Sequence, residues 1–246
     1  MKKLLEVLLK TLVFWSVVVL PVWANPADYV YTPTVEYGER ELDVQYGAAS
    51  APAGNSSASS VGIGYGATEN WFTEVYLKRE NNAGQAVSFF EWENKFQLTE
   101  TGKNWVDLGL VTEMEAPLGG SAPWEVRVGA LVQKSLGKFQ LNGNLLFERA
   151  FGYPDESGVP YTTNLGYQWQ VKYRGQRKFE FGLQGMGELG TWDNWSSQLV
   201  QNHRMGPAIF GKLSSGQAFK YNAAWLVGMT PAAPAHTFRA QLEYEF

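Results

Sequence analysis

The last ten residues constrain this chain most. Thr237, Arg239, Gln241, Glu243 and Glu245 alternate with Phe238, Ala240, Leu242, Tyr244 and Phe246. Residues two apart share a face of a β-strand, so this segment has one apolar and one polar side. The same period recurs upstream. Val61, Ile63 and Tyr65 alternate with Gly62, Gly64 and Gly66, and Trp124, Val126, Val128, Ala130 and Val132 alternate with Glu125, Arg127, Gly129, Leu131 and Gln133. Leu165 to Tyr173 and Tyr221 to Met229 repeat the pattern. Many strands, each apolar on one face only, must share a single apolar environment.

Counted by alternation, twelve strands are expected, near 36–46, 60–67, 71–79, 86–98, 105–115, 124–134, 139–149, 162–174, 178–189, 203–213, 219–229 and 236–246. Alternation slips around Gly38 in the first, and Pro207 in the tenth removes a ladder donor, which predicts a bulge or local disruption. The connections alternate too. Short ones at 68–70, 99–104, 135–138, 175–177 and 214–218 take turns with mostly longer ones at 47–59, 80–85, 116–123, 150–161, 190–202 and 230–235. The stretch 48–59, AASAPAGNSSAS, reads as a small polar loop.

Residues 1–24 read as a cleaved signal peptide and 25–246 as the folded unit. Lys2 and Lys3 open the chain, an uncharged apolar run follows from Leu12 to Leu20, and Val22 and Ala24 give a small-residue cleavage site after Pro21. No later stretch approaches the roughly 20 apolar residues of a membrane helix. The exported chain is therefore either soluble or a membrane β-barrel, and alternation alone does not say which face points inward.

The closing strand resembles that of bacterial outer-membrane β-barrel proteins of the porin-like, channel type. In that family a terminal Phe with alternating apolar residues is read by the assembly machinery. The resemblance implies that Phe238, Leu242, Tyr244 and Phe246 form an assembly signal, and that the partners are outer-membrane lipids and the barrel assembly machinery of a Gram-negative bacterium. The expected fold is all-β: a closed antiparallel transmembrane barrel of about twelve strands with both termini periplasmic. Physical chemistry agrees, because a sheet in lipid must close to leave no unpaired edge, and its outside must be apolar. Trp71, Trp105, Phe139, Tyr173, Phe179, Phe219 and Phe246 fall near one set of strand ends. Tyr46, Trp124, Phe147 and Phe238 fall near the other, as interfacial girdles require.

With the apolar face in lipid, the lumen takes the charges. Glu74, Glu93, Arg127, Lys172, Lys220 and Arg239 lie inside strands and are the candidates for a charged constriction that sorts small solutes. The alternative is a lumen whose charges form a salt-bridged scaffold, in a non-conducting barrel that acts structurally or through its loops. Glu91 and Glu93 share a face and read as wall charge rather than a glycosidase pair. The glycines of Gly62-Ile63-Gly64 read as making room in the lumen.

Other chemistries are disfavoured. With no Cys and two His, the chain has no thiol nucleophile and no zinc site of three His. A net charge of −4 gives no basic excess for nucleic acid. No cofactor motif appears, so no cofactor and no enzyme activity are expected. A lipid-directed hydrolase is the third reading: His203 lies close in sequence to Asp193, Ser196 and Ser197, the residue types of a nucleophilic triad. YTPTVEYG at 31–38 is similar to the energy-coupling box of large receptors, but the chain is too short for their 22-stranded barrel and plug.

Overall fold

The structure is a computed structural model that describes residues 25–51, 54–119, 122–152, 161–176, 178–213 and 219–246. The expected signal peptide, 1–24, lies outside the described residues. The strands are β1 (Arg40–Ala51), β2 (Gly54–Thr68), β3 (Trp71–Asn82), β4 (Gln85–Gln97), β5 (Asp107–Pro117), β6 (Trp124–Leu136), β7 (Phe139–Phe151), β8 (Thr163–Gln176), β9 (Phe179–Thr191), β10 (Asn194–Trp195), β11 (Asn202–Lys212), β12 (Phe219–Gly228) and β13 (His236–Glu245). β10 is a two-residue extension against β9. The other twelve pair in an antiparallel ring, which β1–β13 and β8–β9 complete, so no edge is left open.

The faces are resolved by what is buried. Asp43, Glu74, Glu93, Gln184 and Arg239 are buried inside, while Ile63, Leu77, Trp92, Leu145, Phe181 and Trp225 are exposed outside. This inverts a water-soluble protein and matches a barrel whose solvent is lipid. Aromatic rings collect at the end where the short turns lie, called here the turn end. Trp71 stacks on Phe96, Tyr173 lies between Phe139 and Phe181, and Tyr244 lies between Phe219 and Phe246. Phe238, Leu242 and Phe246 face outward with Tyr244, and the Phe246 amide closes the ring by donating to the Arg40 carbonyl at 3.0 Å.

Two expected connections are folded differently from the sequence expectation. The described residues of the loop expected at 47–59 are strand: β1 runs to Ala51, β2 starts at Gly54, and every residue of β1 pairs with β2. Ala48, Ser50, Ser57 and Ser59 continue the outward rows above Tyr46 and Val61. Beyond the apolar belt, backbone pairing sustains a strand without an apolar face, so small polar residues there do not mark a loop. The connection expected at 80–85 is a two-residue turn, Ala83–Gly84, with φ of 50° and 90°. Left-handed values at both central residues suit the twist of a hairpin. Pro207 gives the expected local disruption, as a gap in the ladder without a bulge. The β11–β12 ladder skips from Met205↔Val227 to Ala208↔Ala224 with its register intact.

Candidate functional site

The lumen is occupied by the chain's own segment before β1. At the turn end, the Gly38 amide donates to the Gly66 carbonyl at 2.8 Å, and Glu36 to Glu39 form a turn closed by a 3.3 Å bond. From there, followed backwards, the chain re-enters the barrel. The Val35 amide donates to Gln97 Oε1 at 2.8 Å. Tyr31 and Tyr29 cross mid-barrel. Asn25 Nδ2 reaches Glu80 Oε1 at 2.6 Å, close to the loop end of β3. Segment 25–38 thus runs antiparallel to β1 through the lumen.

Wall glycines make the close approach possible. A Cβ at Gly66 would stand 1.9 Å from the Glu36 carbonyl oxygen, one at Gly47 2.1 Å from that of Pro26, and one at Gly109 2.7 Å from Pro33 Cβ. These glycines lie on three different strands, all on the inner face. Gly62 and Gly64 make room as expected, and the space is filled by the rings of Tyr76 and Phe72.

The segment's side chains go to opposite walls. Val30 packs with Met186, Ala208, Phe210, Ala224 and Leu226, on β9, β11 and β12. Tyr31 packs with Val111, Leu131 and Leu146, on β5 to β7. The Tyr31 hydroxyl donates to Glu113 at 2.8 Å, and the Tyr29 hydroxyl lies 2.9 Å from both Glu93 oxygens. The Tyr31 backbone is held as well: its amide donates to Gln168 Oε1 at 3.3 Å, and its carbonyl accepts from Asn144 Nδ2 at 3.1 Å.

Electrostatics organise the same level. Glu74, Glu93, Glu113, Arg127 and Glu148 stand in register on β3 to β7. Like charges directly opposed repel. Arg127 answers with a fork, bonding Glu113 at 2.9 Å and Glu148 at 2.7 Å, with Asp28 of the segment 3.9 Å away. One step toward the loop end, Glu91, Glu113 and Glu115 bring carboxylate oxygens within 4.8 Å of one another. Lys78 bridges Glu91 and Glu115, so the wall supplies its own cation there.

The six expected constriction residues all line the interior, but they do not form one ring. Glu74, Glu93 and Arg127 share the rung that carries the segment. Lys172, 3.5 Å from Glu180, and Lys220, 2.9 Å from Glu39, line a chamber of about 460 Å³ at the turn end. Burial raises the Glu39 carboxyl above its ordinary range, opposed by the Lys220 charge. Arg239 is on the far wall, donating to Gln184 at 2.6 Å. A second chamber, of about 170 Å³, lies at the loop end between Asp28, Glu80, Arg127 and Glu188. The segment separates the two chambers.

Sequence reasoning missed Arg204, which is buried on the inner face of β11, the apolar inner patches, and the segment itself. The available signal was a break in phase: Val111, Leu131, Leu146, Phe210 and Leu226 are apolar residues on the polar side of their strands. His203 does not pair with serine. Its Nδ1 is 2.8 Å from the Tyr167 hydroxyl and its Nε2 2.7 Å from Gln201 Oε1, so both ring nitrogens are engaged otherwise.

Neither a protein-family model nor a curated protein matches the sequence. Solved structures do match in fold. The NanC porin is 11% identical, with a TM-score of 0.60, covering 83% of this chain and 100% of its own. An outer membrane channel from Pseudomonas putida F1 is 15% identical, with a TM-score of 0.59, covering 90% and 98%. The KdgM porin is 10% identical, with a TM-score of 0.56, covering 84% and 99%. At these identities the likeness is one of fold.

Proposed function

We propose that this protein is a narrow, passive outer-membrane channel for small solutes, closed at rest by its own segment 25–38. One observation carries the reading: two chambers, about 460 and 170 Å³, are lined by charged side chains and lie at opposite ends of that segment. A polar, hydrated lumen behind an apolar outer belt is what passage across a membrane requires. In this reading the short turns face the periplasm and the loop end faces outward. Glu93 and Arg127 then act at the constriction, with Glu74 beside them, while Lys172 and Lys220 act at the periplasmic mouth and Arg239 on the opposite wall.

The threaded segment also suits the second reading, a barrel that never conducts and works through its loops. Planar-bilayer recording separates the two. The full chain is expected to give rare ion-selective openings, and a chain lacking residues 25–38 is expected to give long-lived ones. Correctly folded protein that stays silent in both forms would establish the non-conducting reading. The outward row Phe238, Leu242, Tyr244 and Phe246 is assigned as the signal for the assembly machinery. Deleting Phe246 should lower the amount inserted in the outer membrane, and unchanged insertion would remove that assignment.

A further inference from the structure

The lumen holds segment 25–38 as a groove holds a peptide ligand. It reads the backbone, with Gln168 and Asn144 gripping both polar atoms of Tyr31 and Gln97 taking the Val35 amide. It reads side chains at the two-residue period of an extended chain, Val30 on one wall and Tyr31 on the other. It reads shape, since Gly47, Gly66 and Gly109 leave space where the segment's backbone or Pro33 touches the wall. Asn144 Oδ1 is buried beside this backbone contact and has no partner among the described residues, so the grip retains an unused acceptor. Water and ions need none of these features, because they carry neither a repeating amide nor alternating side chains.

We propose that the lumen is a binding site for extended peptides, with segment 25–38 as its resident occupant. The ligand class is a short peptide carrying an apolar residue followed by tyrosine, the order of Val30 and Tyr31. Such a peptide binds where the segment binds and displaces it. The proposal rests on the channel reading only in that displacement would open the pore. The binding itself is independent of conduction.

Residues 36–38 are exposed at the turn end, so the folded full-length protein can be cut there. A protease site inserted between Gly38 and Glu39 would free the segment covalently and leave the barrel intact. The segment is expected to stay bound through gel filtration. It should then exchange with a fluorescent synthetic peptide of residues 25–38 at least tenfold more readily than with the mirror-image peptide built from D-residues. Unlabelled Tyr-Val-Tyr-Thr, the sequence of residues 29–32, should compete, and a tetrapeptide of glycine should not. Immediate loss of the cut segment, or equal exchange of the L and D peptides, would overturn the proposal. Bilayer recording of the same samples separates the two ideas. Peptide exchange without current would end the channel reading and leave the peptide site standing. Current without peptide selectivity would do the reverse.

Discussion

Two walls of the lumen hold the same segment by different means. On β3 to β5 the wall is carboxylate: Glu74, Glu93 and Glu113 stand opposite one another, and two of them take the tyrosine hydroxyls of the segment. On β6 to β9, beside the Arg127–Glu148 pair, the wall is largely amide. Asn142 donates to Gln133 at 3.0 Å, and Gln184 donates to Gln170 at 2.6 Å. Carboxamides carry both donors and acceptors, so a row of them satisfies itself. Ionised carboxylates only accept, so a row of them needs donors from elsewhere. The amide wall satisfies many of its groups within itself and gives the segment only neutral bonds, from Gln168 and Asn144, whereas the carboxylate wall depends on Arg127 and the two tyrosines. The energetic hold on the segment therefore lies mainly on one side of the barrel.

The largest effect should come from removing both hydroxyls, in Tyr29→Phe with Tyr31→Phe. Hydrogen bonds to charged groups contribute about 1.5–3 kcal/mol each, so losing both should raise the undocked population on the order of a hundredfold or more. Proteolysis of the segment in the folded protein measures this, together with open probability. Gln168→Leu removes one neutral bond to the segment, about 0.5–1.5 kcal/mol, and should raise the same readouts by roughly tenfold or less. If Gln168→Leu undocks the segment more than the double tyrosine change, the assignment of the hold to the carboxylate wall is backwards.

Charge selectivity sharpens the contrast further. Arg127 is the cation that balances Glu113 and Glu148 at the crossing of the segment. In a channel lacking residues 25–38, Arg127→Gln should shift the reversal potential in a KCl gradient toward cation preference. An unchanged potential would place Arg127 outside the conduction path.

The sequence carried the wall more legibly than the contents. Strand number and facing follow from a local two-residue period, which each strand repeats, and so the ring was readable from Phe238 to Phe246 and its equivalents. The β1–β2 hairpin was not, because residues 48–59 lose their apolar row where they pass beyond the belt, while their pairing continues. The segment was illegible for a different reason. Residues 25–38 have no period, contain Pro26 and Pro33, and are specified by partners on distant strands: Gly47, Gly66, Gly109, Glu93, Glu113 and Gln168. Each of those partners is locally ordinary, as a loop or strand glycine or a wall polar group. Only their convergence marks a binding site, and convergence is a property of the closed ring. The candidate constriction was half visible on the same grounds: the facing of Glu74, Glu93 and Arg127 was local, but their common level was set by register across β3 to β6.

Lys172 should give the smallest effect and locates the boundary of the constriction. It projects from β8 on the amide side, into the wider chamber at the turn end rather than onto the crowded rung. Its ammonium lies 3.5 Å from Glu180 and 5.2 Å from the centre of the Phe210 ring, and its side chain is about one-fifth exposed. Salt screens charges in such a hydrated space over roughly 8–10 Å at physiological ionic strength, so a passing ion feels Lys172 less than a charge it must touch. Lys172→Gln should therefore shift the reversal potential in the same direction as Arg127→Gln but by less, and raising the salt should erase the Lys172 shift first. A Lys172 shift as large and as salt-resistant as that of Arg127 would move the narrowest point of the open lumen to the turn end, away from the rung that the two tyrosines now occupy.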